Sequence, residues 1–246
     1  IKVILHSNGM RQLKIMGVLT VVMRVKPVNP NTKWPNGHTL YLSASGGGKS
    51  QMLNQNKALP KKGVRTILWD PSGDHPGLHF EDRKAFLRAI KTGIKSGKGF
   101  RVAFCGERSV KNYEWWCEVV WGSLDGNFAT YAIVEELSAV CVTAMKASPN
   151  AAVLLNEGRK YGLHFHGTSQ KPQEISKTYF DQCEIKFVGR QKGLAMCKKM
   201  ALEIGMRPED IRTLKNLQFF HDLGSADEPE LLTIKYKKIA GVKFCG

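Results

Sequence analysis

The sequence predicts an α/β domain of three layers, with helices on both faces of a central, mostly parallel sheet. Three observations carry that expectation. From His38 onward, short apolar runs alternate with stretches whose apolar residues recur at helical spacing. Three consecutive glycines, Gly46, Gly47 and Gly48, stand between the first apolar run and the first helical stretch. A chain of 246 residues with 42% hydrophobic content is long enough to bury one large core and to carry a small appendage. The division expected is an N-terminal β-hairpin and linker over residues 1–37, then the main domain over residues 38–246.

Taken in order, Lys2 to His6 reads as a strand, Ser7-Asn8-Gly9 as a turn and Leu13 to Val25 as the returning strand. The rival reading is an apolar patch flanked by basic residues that touches a membrane. The chain opens at Ile1 rather than at a methionine, so a preceding segment is expected. Pro27 to Gly37 holds three prolines and three asparagines and reads as a linker. His38 to Leu42 is a strand, and Lys49 to about Leu59 its helix, stopped at Pro60. Arg65 to Trp69 is a second strand, closed by the turn Asp70-Pro-Ser-Gly-Asp74. Glu81 to Ser96 is a helix, with Phe86, Leu87, Ile90 and Ile94 on one face and Arg83, Lys84, Arg88, Lys91 and Lys95 on the other. Phe100 to Cys105 is a strand, and Ser109 caps a helix running to Trp121. Tyr131 to Val134, Leu163 to Ser169 and Cys183 to Val188 are strands. Leu137 to Met145, Ala151 to Tyr161, Leu194 to Ile204 and Pro208 to Leu217 read as helices. Gln218 to Leu223 and Leu231 to Lys237 read as closing strands.

Lys and Arg number 37 against 21 Asp and Glu, a net charge of +16. A surplus of that size points to a polyanion, either nucleic acid or an acidic membrane surface. The six cysteines lie far apart with no Cys-x-x-Cys pair, which argues against zinc and redox motifs and for a reducing setting. No apolar run approaches the roughly 18 residues of a membrane span.

The chemistry starts at Ser43-Ala-Ser-Gly-Gly-Gly-Lys-Ser50. A glycine loop there wraps backbone N–H groups around a phosphate chain, Lys49 reaches the β- and γ-phosphates, and the Ser50 hydroxyl holds Mg²⁺. Ser45, Gly46, Gly47, Gly48, Lys49, Ser50 and Gln51 are the candidate nucleotide-binding residues. Ser43 stands where the first glycine of such a loop usually sits. Tyr131-Ala-Ile-Val-Glu-Glu136 supplies an apolar strand ending in two acids. Glu135 is the candidate for the metal and Glu136 for polarising the attacking water. Gln170, at the end of a further strand, is placed to sense the γ-phosphate, the alternative being a simply exposed glutamine. Arg159 is a candidate cationic finger, in its own subunit or a neighbour's, or else a residue answering a helix dipole.

Other candidates have plainer alternatives. His164 and His166 share one strand face, as a metal pair or as packing. Arg190 is a possible second finger. Trp115-Trp116 can stack on bases or pack a helix. Lys61-Lys62 and the cationic face of the Glu81 to Ser96 helix can track a phosphate backbone or be solvated.

Four stretches in this order resemble the FtsK–HerA branch of P-loop ATPases: Ser43 to Ser50; Leu68-Trp-Asp-Pro-Ser-Gly-Asp74; Ala132-Ile-Val-Glu-Glu136; and Gly158-Arg-Lys-Tyr-Gly162 leading to Thr168-Ser-Gln-Lys-Pro172. Within that branch they are most similar to the genome-packaging ATPases of tailless, membrane-containing viruses with double-jelly-roll capsids. The resemblance covers about Leu40 to Gln191 and departs at Ser43 and Glu135. It implies a RecA/FtsK-like fold, ATP and Mg²⁺ as ligands, sequence-independent DNA as partner, a ring of six subunits, and a place in host cytoplasm or at a virion vertex. It also implies that Asp70 lies near the nucleotide or the ring pore. A cellular DNA translocase, a filamentous-phage assembly ATPase and a non-hydrolysing nucleotide-binding protein at a portal vertex remain alternatives at this point.

Overall fold

A computed structural model describes residues 27–225 and 227–245. The expected N-terminal hairpin lies outside the described residues. The elements in order are β1 (Thr39–Leu42), α1 (Lys49–Gln55), β2 (Arg65–Trp69), β3 (Gly77–Phe80), α2 (Arg83–Lys95), β4 (Phe100–Phe104), α3 (Val110–Trp121), β5 (Thr130–Val134), α4 (Pro149–Glu157), β6 (Leu163–Ser169), α5 (Lys177–Gln182), β7 (Ile185–Gly189), α6 (Leu194–Glu203), α7 (Pro208–Thr213), β8 (Gln218–Asp222), β9 (Glu230–Thr233) and β10 (Val242–Phe244).

The ten strands of the described residues join one sheet in the order β10-β3-β4-β2-β5-β6-β1-β7-β8-β9. Every pairing from β10 to β7 is parallel, and β8 and β9 close one edge antiparallel. The chain leaves β1 and re-enters the sheet at β2, with β6 and β5 later filling the gap. The C-terminal end of β1 is therefore a topological switch point, where open α/β sheets leave a crevice.

The side chains of each strand alternate between two cores. Leu40, Leu42, Ile67, Trp69, Val102, Phe104, Ala132 and Val134 face a large core roofed by residues of α2 to α7. Tyr41, Leu68, Ala103, Tyr131, Ile133 and Phe187 face a smaller core whose helical cover is Met52 and Leu53 of α1. The three layers are thus lopsided, with one helix on one face among the described residues. Trp115 and Trp116 pack in this architecture: Trp116 is buried and donates its indole N–H to Leu68 O, and the Arg83 guanidinium lies over Trp115.

Several expectations shift. Leu137 to Met145 is not a helix; it forms a single 3₁₀ turn, Leu137–Ala139, and leaves Val142 and Met145 exposed. Glu136, directly before the turn, adopts φ 58°, ψ 75°, outside the right-handed helical region. The helices at Lys49 and Pro208 stop earlier than their periodicity predicts, at Gln55 and Thr213. β3, α5 and β10 are additions. The linker packs on the N-terminal end of the sheet, where Asn31 N–H donates to Lys160 O and the Trp34 indole N–H to Gly126 O.

His164 and His166 take the packing alternative. His164 stacks on Tyr131 with centroids 4.9 Å apart, and His166 lies between Tyr131 and Tyr41. No cluster of three metal-ligating side chains occurs among the described residues. Burial, reinforced by neighbouring His164, pushes His38 down to about 4 and His166 down to about 3. Both rings resist protonation in the folded chain. From pH 6.5 downward the unfolded chain binds protons that the folded chain refuses, so this stabilisation is present above 6.5 and lost as pH falls towards 4. Urea unfolding between those pH values should show declining stability, and His166→Phe should make the decline shallower.

Candidate active site

The loop after β1 is built around Ser43. Its side chain is buried, and its hydroxyl donates to Arg190 O at 3.2 Å. A Cβ placed on Gly47 would come 2.0 Å from Ser43 Oγ, and one on Gly189 would come 2.8 Å from it. The serine thus fills the space that Gly47 and Gly189 leave beneath the loop. Gly46 and Gly48 turn the loop at φ 73° and 102°, which L side chains rarely adopt. Met52 N–H finds Gly48 O, whereas the N–H groups of the residues before it in α1 have no intrahelical carbonyl to reach. These donors sit where a phosphate chain would lie.

Leu217 clamps the loop from outside. It sits at φ 66°, donates its N–H to Gly47 O at 3.0 Å, and lies where a Cβ on Gly48 would meet its Cδ2 at 2.6 Å. Among the described residues three non-glycines have positive φ, and two of them, Glu136 and Leu217, border this loop and its acids.

Lys49 is buried. Burial lowers its pKa, opposed by the charges of Glu136 and Glu135. No carboxylate lies within ion-pair distance of it among the described residues, so a desolvated ammonium faces the loop without a partner. An anion is what such a group lacks.

The two acids follow β5, which shares the sheet with β1 through β6. Glu135 is buried; its Oε2 lies 2.6 Å from His75 Nε2 and accepts the Thr168 hydroxyl at 3.1 Å. Thr168 Oγ1 in turn accepts Glu136 N–H at 3.1 Å. The Glu136 carboxylate accepts from Ser138 Oγ at 2.6 Å, from Ser169 Oγ at 2.9 Å and from Gln170 N–H at 3.2 Å. One hydroxyl on β6 therefore sets the spacing of both acids. Gln170 sits beside Glu136 with its side chain exposed. Lys49, Ser50, Glu135, Glu136 and Gln170 are thus brought to one end of β1, β5 and β6. Among the described residues Ser50 Oγ and Glu135 Oε1 carry no hydrogen bond, and oxygens of this kind are the donors Mg²⁺ takes.

Arg159 is not brought there. It precedes β6, whose seven residues end at Ser169, so it lies about 20 Å away at the other end of the sheet. Its guanidinium caps Trp34 O at 2.6 Å and Thr32 O at 3.3 Å. A role toward the phosphates of its own subunit is excluded by that placement. Arg190 ends up beside the loop instead, directly after β7, with Nε buried and unpartnered. Gln51 spends its side-chain amide on the backbone of Lys237, donating to its O and accepting its N–H, both at 2.9 Å.

His75 and His79 were not singled out by the sequence. Asp70 is fully buried, one hydrogen-bonded residue behind Glu135. Its Oδ2 accepts His75 N–H at 2.9 Å and pairs with His79 Nε2 at 2.9 Å, and its Oδ1 accepts Asp74 N–H at 3.0 Å. The Asp70 turn therefore aims His75 at Glu135. Burial works against charge on His75, but the hydrogen bond and charge of Glu135, with Asp70 behind it, raise its pKa above the ordinary value. The only trace in the sequence is a histidine five residues after the turn-forming aspartate.

A glycine loop beside two acids that end a parallel strand is the arrangement of a P-loop NTPase fold. No family model matches the chain. It is 34% identical to Protein P9 of Pseudoalteromonas phage PM2 over 184 residues, 74% of this chain and 82% of that protein. The chain belongs to the family of that phage protein. Its fold is shared with the genome packaging NTPase B204 of Sulfolobus turreted icosahedral virus 2 in complex with AMPPCP, at TM-score 0.66 and 16% identity, covering 82% of this chain and 100% of that one. It is also shared with the bacterial conjugative coupling protein TrwB lacking its first 70 residues, at TM-score 0.55 and 12% identity, covering 89% and 90%.

Removing the His75 ring leaves a buried carboxylate short of one partner. His75→Ala should lower the unfolding free energy by about 3 kcal/mol in denaturant titrations, whereas the exposed Gln170→Ala should change it little.

Proposed function

We propose that this chain is a DNA-translocating ATPase, a viral genome-packaging motor that couples ATP hydrolysis to movement of DNA into a procapsid. One observation carries the reading: an unpartnered buried lysine on the glycine loop shares a crevice with two fixed glutamates and Gln170. In this reading the N–H groups of Ser45, Gly46 and Gly48 to Gln51, with the Lys49 ammonium, bind the phosphates, while Gly47 N–H donates to Ala44 O at 3.0 Å and shapes the loop. Ser50 and Glu135 hold Mg²⁺, which when bound neutralises β- and γ-phosphate oxygens. Glu136 accepts a hydrogen bond from the attacking water and polarises it, and Gln170 orients the γ-phosphate end. The serine and backbone donors now on Glu136 hold its carboxylate in place until water replaces one of them.

The working form is a ring of six, as the FtsK–HerA resemblance implies, working in the host cytoplasm or at a virion vertex. Arg159 then acts from a neighbouring subunit. The charge of +16 suits a partner held by phosphates without base reading. The chain divides in function as it does in sequence, with residues 38–246 as the motor and residues 1–37 as an accessory segment. The resemblance of the fold to a viral packaging NTPase and to a conjugative coupling protein supports this assignment over a purely structural role.

DNA-stimulated ATP hydrolysis, measured together with oligomer mass, tests the reading. Glu136→Gln should cut kcat by about 100-fold or more while ATP still binds, and Lys49→Ala should lose ATP affinity. A wild type no faster than Glu136→Gln overturns it. Mixing decides the finger: Arg159→Ala and Lys49→Ala subunits, each inactive alone, should recover hydrolysis when combined, because one donates the site and the other the arginine. No recovery removes Arg159 from that role.

A further inference from the structure

Beyond β9, residues 234–241 leave one edge of the sheet and cross its single-helix face to reach β10 on the opposite edge. This strap runs over α1. Gln55 Nε2 donates to Lys235 O at 2.8 Å, and Gln51 holds Lys237 by both its N–H and its O. At the far end Gly77 N–H donates to Gly241 O at 2.9 Å. Between the strap, α1 and β4 lies a cleft of about 410 Å³, lined by Lys61, Arg101, Lys237 and Lys238 together with the amide side chains of α1. No carboxylate lines it.

Arg101 makes the cleft unusual. It projects from β4, donates Nε–H to Pro76 O at 2.5 Å, and has no ion-pair partner among the described residues. Burial pushes it down to about 10, and the carboxylate that counteracts this, Asp70, is already committed to His79 and two backbone N–H groups. Four cations converging without an acid repel one another, and an incoming anion relieves that repulsion. The strap backbone is held to α1 at Lys235 and Lys237, so little main-chain ordering is left for a ligand to impose.

We propose that this cleft is a second anion site, separate from the glycine loop, that takes consecutive phosphates of a DNA backbone. The assignment rests on the polynucleotide reading above and names the surface that serves it. A backbone seated there touches the strap and, through Gln51, the helix that carries Lys49 and Ser50. Binding of DNA and the geometry of the nucleotide loop thereby share one mechanical element.

The test uses the whole chain with Lys61→Gln, Lys237→Gln and Lys238→Gln combined. These side chains are exposed, and Arg101 is left in place, so a thermal melt should match the wild type. Affinity for a random-sequence DNA duplex should fall at least tenfold at moderate salt, and the slope of log K against log salt should shrink by about 2 to 3. ATP hydrolysis without DNA should stay unchanged. Wild-type-like DNA affinity and slope in the triple variant overturn the cleft assignment while leaving the motor reading intact. A variant that loses binding of inorganic tripolyphosphate but keeps DNA assigns the cleft to a free polyphosphate and also overturns it. A wild type that fails to bind DNA at any salt overturns both readings.

Discussion

Glu135 is a carboxylate taken out of water at the centre of a parallel sheet. Such burial costs several kcal/mol unless partners replace the lost hydration. The local architecture answers that requirement. The Asp70 turn exists to present His75, β3 presents His79 to anchor Asp70, and β6 presents Thr168 from the other side. Thr168 then passes the constraint on, because the same hydroxyl receives the N–H of Glu136 and fixes that residue in its left-handed conformation. The left-handed conformation of Glu136 is thus tied to the same hydroxyl that holds Glu135.

The parallel strands were legible because each carries an unbroken apolar run, the signature of burial on both faces. The glycine loop and the acid pair were legible because their residue types and spacing have few other uses. What stayed hidden depends on contacts between distant segments. β3 and β10 are only four and three residues long, so the alternation in Leu78-His79-Phe80 and in Val242-Lys243-Phe244 is too brief to announce a strand. The stretch Leu137 to Met145 has apolar spacing suited to a helix, yet in the folded chain it makes only the 3₁₀ turn Leu137–Ala139. His75 looks like any loop histidine until the fold brings Glu135 within 2.6 Å. Arg159 shows the limit of neighbourhood in sequence: it sits a few residues from β6, yet a strand separates its two ends by about 20 Å.

Ser43 illustrates how a departure from a motif can be accommodated. A side chain at that position needs room, and the room comes from Gly47 above and Gly189 on the adjacent strand. Its hydroxyl needs a partner, and Arg190 O provides one. The turn keeps its course and gains a polar tie to β7. That tie also brings Arg190 beside the loop, a cation whose position relative to the phosphate end could be read only from the folded sheet.

The strap has a consequence for how the molecule is made. The glutamine that follows Ser50 closes onto Lys237 across 186 positions of chain, and β3, in the first third of the sequence, gains its outer neighbour from β10. Contacts of such sequence separation form late and slowly. A partly synthesised chain can have its glycine loop and both acids already emerged and still lack the clamp on α1. The β3 edge of the sheet therefore stays open to mispairing until the strap arrives.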